Sequence, residues 1–213
     1  LAYGLHLEQA VTQYLCGRFA EAEAGFTALL PRCDTLAERT DVYVATVAQF
    51  ETMARYQDAI RSSLEGLRAL GVVLPEEPDT QRRVLDQDVA AIQELLRGRD
   101  VPSLIELPAL TEPSVLQAMR LLRVTWAPAF ISTSGNLCGV VAARMVRLSL
   151  EHGNSGDSAF GYLHHAITVG SLLGQYQLGH QFGELALALN ERLADATLRA
   201  VIHHRFAALV NVW

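Results

Sequence analysis

Two histidine pairs, His164-His165 and His203-His204, stand 39 residues apart and have the most unusual spacing in the sequence. Imidazole nitrogens ligate metals and bond anions, so two such pairs on helices stacked side by side would bring one ring from each into a shared groove. Successive helical residues point about 100° apart, which leaves at most one ring of each pair facing that groove. No carboxylate stands three or four residues away to support either pair. Ordinary packing or exposure of the rings is the plainer expectation, and no metal site is assigned. Two arginine pairs at i, i+3 spacing, Arg120 with Arg123 and Arg144 with Arg147, offer a second chemistry. Their guanidinium forks would clamp a carboxylate or an acidic peptide. Trp126, Tyr162, Tyr176, His164 and His203 are the other candidate lining of such a concave groove. Solvated helix faces and packing aromatics are the alternative reading of the same residues.

Other polar clusters have a simple account. Ser132-Thr133-Ser134-Gly135 would bind an anion at the start of a helix beginning near Asn136, or is a polar turn with a cap. Glu151-His152 and the loop Gly153-Asn154-Ser155-Gly156-Asp157-Ser158 resemble a phosphate cradle or nucleophile site. A helix end at Gly153 and an N-cap from Asp157 or Ser158 account for all of those residues. The acid pairs Glu76-Glu77 and Asp86-Asp88 are read as a linker and a solvated helix face, with no apolar pocket to raise a carboxyl pKa. No catalytic residue and no cofactor site is assigned. All 17 basic residues are arginine, so a P-loop lysine, a kinase-type lysine and a Schiff base are excluded from this chain.

The elements that must position these groups follow from composition and pattern. With 213 residues, half of them hydrophobic, the chain can bury a sizeable core. Its net charge of −6 and scattered arginines lack the basic stripe of a nucleic-acid binder. Cys16, Cys33 and Cys138 are an odd, sparse set, read as free buried thiols of a reducing cytoplasm. No apolar run reaches the roughly 20 residues that span a bilayer. The start at Leu1 without Met, and the end at Trp213 inside an apolar pattern, lead us to expect a piece of a longer chain.

One phrase recurs: a small residue, a variable one, an aromatic, and three residues later another small residue. It reads Gly17-Arg18-Phe19 with Ala22, Ala54-Arg55-Tyr56 with Ala59, and Gly174-Gln175-Tyr176 with Gly179. A small residue lets the chain reverse, the aromatic would pack back between two helices, and the second small residue lets their backbones approach. The first two copies are 37 residues apart, near the roughly 34-residue tetratricopeptide period. Apolar periodicity and caps predict about nine or ten helices. The hairpins cover 3–15 with 19–30, 36–53 with 56–70, and 158–173 with 176–193. Single helices run from near Asp79 or Thr80 to Gly98, from a Thr111 cap to a stop at Pro128, over Asn136–His152, and onward from near Asp195. An extended connector spans 72–78, and the proline-rich stretch 98–112 is expected as an irregular crossover, a possible soft boundary between sub-stacks. The expected fold is all-α: a single domain over 1–213, built as a right-handed superhelix of antiparallel helical hairpins, a tetratricopeptide-like α-solenoid.

Four runs extend the reading: Tyr14-Leu-Cys-Gly-Arg-Phe-Ala-Glu-Ala-Glu; Arg55-Tyr-Gln-Asp-Ala-Ile with Glu65-Gly-Leu-Arg-Ala-Leu-Gly; Leu148-Ser-Leu-Glu-His-Gly-Asn-Ser with Ser158-Ala-Phe-Gly-Tyr; and Phe182-Gly-Glu-Leu-Ala-Leu-Ala-Leu. Together they resemble the helical-repeat region of large bacterial signalling proteins. In that family a serine/threonine-kinase-like domain and an AAA/STAND-type ATPase precede the repeats, and a GAF domain and often a sensor histidine kinase follow. The resemblance implies a non-catalytic, cytoplasmic interaction and coupling module, whose partners are a protein, a peptide or neighbouring domains of its own chain. ATP binding and phosphotransfer would belong to the flanking domains of the parent, and nucleic acid and membrane are not expected partners. A small-ligand sensor and an oligomerisation scaffold are the competing expectations, and the oligomeric state is left open.

Overall fold

The computed structural model describes residues 2–132 and 136–212, without the side chain of Ala2. Among them are ten α-helices: α1 (Ala2–Leu15), α2 (Phe19–Leu29), α3 (Leu36–Thr52), α4 (Tyr56–Ala69), α5 (Pro78–Leu95), α6 (Pro113–Ile131), α7 (Leu137–His152), α8 (Gly156–Ser171), α9 (Tyr176–Leu193) and α10 (Ala196–Arg205). Short 3₁₀ segments cover Leu30–Arg32 and Val101–Glu106, and α10 runs on into a π turn, Phe206–Val210. Among the described residues there is no strand, and a lone parallel bridge joins Ala109 to Asn154.

The recurring phrase builds the same bend three times. Its first residue is left-handed in each copy, with φ of +76° at Gly17, +54° at Ala54 and +67° at Gly174. The variable residue follows with nearly constant angles: φ −85°, ψ 63° at Arg18, φ −88°, ψ 58° at Arg55, and φ −92°, ψ 63° at Gln175. Its N–H donates to a carbonyl of the preceding helix, Gln13 at 2.9 Å, Phe50 at 2.8 Å and Val169 at 3.0 Å. The third copy reaches one residue further back, so its turn is one residue longer. The variable residue's own carbonyl accepts the first bond of the next helix, from Ala22, Ala59 and Gly179. Those three small residues are buried, as close helix contact requires. The aromatics differ from expectation: Phe19, Tyr56 and Tyr176 are the first residues of α2, α4 and α9. Phe19 and Tyr56 are half-buried and Tyr176 is 53% exposed, because a first-turn side chain projects over the bend and not between the helices.

Packing between helices is regular. Within hairpins α1 packs on α2, α3 on α4, α6 on α7, and α8 on α9. The leading helices also touch in sequence, α1 on α3, α3 on α6, α6 on α8 and α8 on α10. Each trailing helix meets the next leading one, α2 on α3, α4 on α6, α7 on α8 and α9 on α10. Helix α5 stands outside this order and packs on α7. Its buried stripe is Gln81, Leu85, Asp88 and Ile92, spaced four, three and four residues as one face of a helix requires.

A continuous core runs from Tyr43 to Val210, with α6, α7 and α8 at its centre. A smaller cluster of Ala10, Ala22, Phe26, Leu29, Cys33 and Val42 closes the first hairpin. The 98–112 crossover is anchored in the main core by Val101, Leu104 and Leu110. Its main pin is Asn154, just before α8. The Asn154 backbone N–H donates to Pro108 O at 2.7 Å and its carbonyl accepts from Leu110 N at 2.8 Å. Its side-chain amide donates to Leu104 O at 2.8 Å, and its Oδ1 accepts from Tyr162 OH at 2.9 Å. Gly153 makes the approach possible: its φ is +106°, and a Cβ there would fall on the Pro108 carbonyl oxygen.

Several boundaries depart from the sequence expectation. Pro128 does not stop α6, which continues to Ile131. A proline near a helix end removes only one donor, and the parallel stack of Trp126 on Phe130, centroids 4.9 Å apart, secures the last turn. Glu112, not Thr111, is the residue before α6. Ser155 caps α8 in a reciprocal box with Ser158, so neither Asp157 nor Ser158 is the cap. Cys16 is exposed and not buried, since it lies in the first bend; Cys33 is buried and Cys138 half-buried.

Candidate functional site

The four candidate arginines meet carboxylates of other helices. Arg120 Nη2 lies 2.7 Å from Asp41 Oδ1, tying α6 to α3. Arg123 Nε approaches Asp157 Oδ1 to 2.6 Å, off the line of an ideal hydrogen bond, and ties α6 to α8. Asp157 is largely shielded, and burial raises its carboxyl pKa against the pull of Arg123. Arg144 reaches Asp88 Oδ2 at 3.0 Å, and Arg147 reaches Asp88 Oδ1 at 3.2 Å and Glu151 at 2.8 Å, tying α7 to α5. Asp88 is therefore not on a solvated face: it is 1% exposed. Asp86 is the surface member of that acid pair and bonds Arg82 one turn back.

The candidate aromatics and histidines separate into interior and surface. Trp126, Tyr162 and His164 are buried, as is His165, whereas His203 and His204 are exposed. The two histidine pairs therefore do not converge, although α8 and α10 are neighbours. Among the described residues no three His, Cys, Asp or Glu side chains gather as a metal site would require. Of the Ser132–Gly135 anion candidate, residues 133–135 lie outside the described residues.

The structure instead joins His164 to a residue that sequence reasoning passed over, Arg205 at the end of α10. His164 Nδ1 is 2.7 Å from the Phe160 carbonyl oxygen. A carbonyl only accepts, so Nδ1 carries the proton and Nε2 is the lone-pair nitrogen. Nε2 accepts from Arg205 Nη1. The guanidinium carbon sits 4.7 Å from the Trp126 ring centroid and 5.8 Å from that of Phe160, within the range of cation–π attraction. The His164 ring centroid lies 4.1 Å from that of Trp126 and 3.8 Å from that of Phe160. Burial, with Arg205 adding to it, drives the His164 pKa down to about 3, so the ring is neutral across the physiological range. His165 is pushed down to about 4 by burial alone, and its ring meets Phe182 edge-on at 5.0 Å.

Arg205 is half-buried, and no carboxylate of the described residues lies within ion-pair distance of it. Burial lowers its pKa, the direction expected of a cation withdrawn from water without a counter-ion. The signal for this contact was faint in the sequence: Arg205 follows the second histidine pair and stands 41 residues beyond His164, close to the spacing between the pairs themselves.

Phe130, stacked on Trp126, and Ile131 are 55% and 48% exposed at the end of α6. No described helix is long and apolar enough to cross a membrane. The chain is 20% identical over 214 residues to "Hybrid signal transduction histidine kinase G" of Dictyostelium discoideum, a match covering 92% of this chain and 6% of that protein. It thus spans a small part of that relative's length. No family model matches the chain, and no solved structure does. The similarity is consistent with a signal-transduction setting.

Proposed function

We propose that the chain is a non-catalytic interaction and coupling module of a larger bacterial signalling protein, built as a right-handed tetratricopeptide-like solenoid. The observation that supports this most is the succession of polar rungs between leading helices. Tyr3 OH donates to Glu38 O at 2.7 Å from α1 to α3, Asp41 meets Arg120 from α3 to α6, and Asp157 meets Arg123 from α8 to α6. His164 accepts from Arg205 between α8 and α10. A stack whose units touch only their neighbours adds small rotations into a large displacement of its ends. A rung at each step makes those rotations correlated, which suits a relay between a bound partner or a neighbouring domain and an output domain. In this reading the kinase-like, AAA-type ATPase and histidine-kinase functions, and ATP itself, belong to the rest of a cytoplasmic parent.

Two measurements test it. The chain alone should hydrolyse no ATP above a blank, and turnover abolished by a point substitution within it would overturn the reading. Asp41→Ala, which breaks the second rung, should raise amide exchange not only in α3 and α6 but also in α8. Exchange that changes only within α3 and its direct neighbours would show that displacement is not relayed.

A further inference from the structure

We propose that Arg205 is a carboxylate receptor: its guanidinium, held by His164 and the Trp126 face, takes an acidic side chain from a partner segment whose apolar neighbours rest on Phe130 and Ile131. The inference rests on the interaction-module reading and gives it a site and a ligand chemistry. Four observations carry it.

The first is the absence of neutralisation. Arg120, Arg123, Arg144 and Arg147 each have a carboxylate within 3.2 Å. Arg205 is withdrawn from water to a similar degree and has none among the described residues. Its partners are a neutral imidazole and two ring faces. A guanidinium has five N–H donors, and a single acceptor leaves most of them without a protein partner.

The second is fixed orientation. The Phe160 carbonyl holds the His164 tautomer, and His164 Nε2 then holds one edge of the guanidinium while Trp126 supports its face. An arginine fixed in this way loses little rotamer freedom on meeting a planar bidentate acceptor.

The third is the sign of the surroundings. His203 and His204 are exposed in the same turn of α10, and among the described residues neither has a carboxylate within ion-pair distance.

The fourth is the apolar shelf. Phe130, stacked on the Trp126 ring over which Arg205 also sits, and Ile131, the next residue in the chain, present exposed hydrocarbon at the end of α6. Together these features fit a peptide in which an acidic residue is flanked by apolar ones.

The test uses the 213-residue chain with Trp213→Phe, which leaves Trp126 as its single indole. The probes are the capped peptide acetyl-Leu-Glu-Phe-amide and its glutamine counterpart, with Trp126 emission and backbone NMR shifts as readouts. The glutamate peptide should bind about tenfold more tightly, the factor that about 1.4 kcal/mol of charge-assisted bonding supplies. Its affinity should fall as salt is raised. Arg205→Ala should remove the preference for glutamate. Arg205→Lys, which keeps the charge and stem but not the fork, should fold as the parent does and reduce the preference. His164→Ala should weaken binding, because it frees the guanidinium. Equal affinity for the two peptides, no binding of either, or a glutamate preference that survives Arg205→Ala would each overturn the proposal. Relay of the Asp41→Ala disturbance would still stand in those cases, so failure of the receptor is distinguishable from failure of the module reading.

Discussion

Replacing Asp88 with alanine should lower the free energy of unfolding by about 3 kcal/mol. The carboxylate is 2% exposed at its side chain and bonds two arginines, Arg144 at 3.0 Å and Arg147 at 3.2 Å. Removing it leaves Arg144, whose side chain is 18% exposed, with no carboxylate partner in the interface of α5 and α7. Breaking a buried pair in this way costs about 3–5 kcal/mol, since a charge is stranded away from water. The lower end applies because Arg147 is 38% exposed and keeps Glu151 at 2.8 Å, so its share is screened. Urea unfolding followed by circular dichroism is the assay. With a slope of about 2–3 kcal/mol per molar, the midpoint should fall by about 1 M. The double variant Asp88→Leu with Arg144→Leu should regain most of the loss, because apolar replacement of both partners removes the stranded charge. A single variant within 1 kcal/mol of the parent, roughly the level of a surface pair, would refute this reasoning. So would a double variant no more stable than the single one.

Stability should also rise with pH between about 4 and 6.5. His164 and His165 have folded-state pKa values of about 3 and about 4, below the unfolded value near 6.5, so the unfolded chain binds more protons throughout that window. Their stabilisation is complete above pH 6.5 and is lost as pH falls, by up to about 1.4 kcal/mol per unit for each ring; unfolding at pH 5 and pH 7.5 checks it, and His165→Phe should flatten the slope. Ala54→Gly should stabilise by up to about 1 kcal/mol, because φ of +54° strains an L side chain, less the entropy glycine adds to the unfolded chain; thermal melts that show a loss would contradict it. Gly153→Ala should cost about 3 kcal/mol or more, since its Cβ meets the Pro108 carbonyl; a neutral result in denaturant would mean that the crossover can shift at little cost.

What was legible in the sequence was local. The three bends were marked by residues that sit next to one another in the chain, and helical hairpins follow from them and from the apolar stripes. The aromatic of the phrase was misread because its place in the first turn, and not its hydrophobicity, sets its direction. Polar partnership was not legible. Arg120 finds Asp41 from 79 residues away, and Arg147 finds Asp88 from 59, distances over which charge patterning carries no register. Asp88 nevertheless left a trace, standing midway between Leu85 and Ile92 on the stripe that α5 buries. A carboxylate that shares a buried stripe with leucine and isoleucine has to be paired, since aspartate is almost never fully buried otherwise. Pro128 misled for the opposite reason: its breaking tendency is real, but the aromatic stack of Trp126 and Phe130 that straddles it outweighs it at a helix end.

Helix α5 docks on α7 and not on the hairpin made before it, which has a consequence for synthesis on the ribosome. The first two hairpins can close as they emerge, whereas α5 has to wait for a binding surface that ends at His152, roughly 60 residues later. At about 5–20 residues per second the delay lasts on the order of several seconds. During it Leu85 and Ile92 are uncovered and Asp88 carries its charge in water. A buried carboxylate on that stripe keeps the nascent segment from being uniformly sticky, and it becomes an interior group only once its two arginines have been translated.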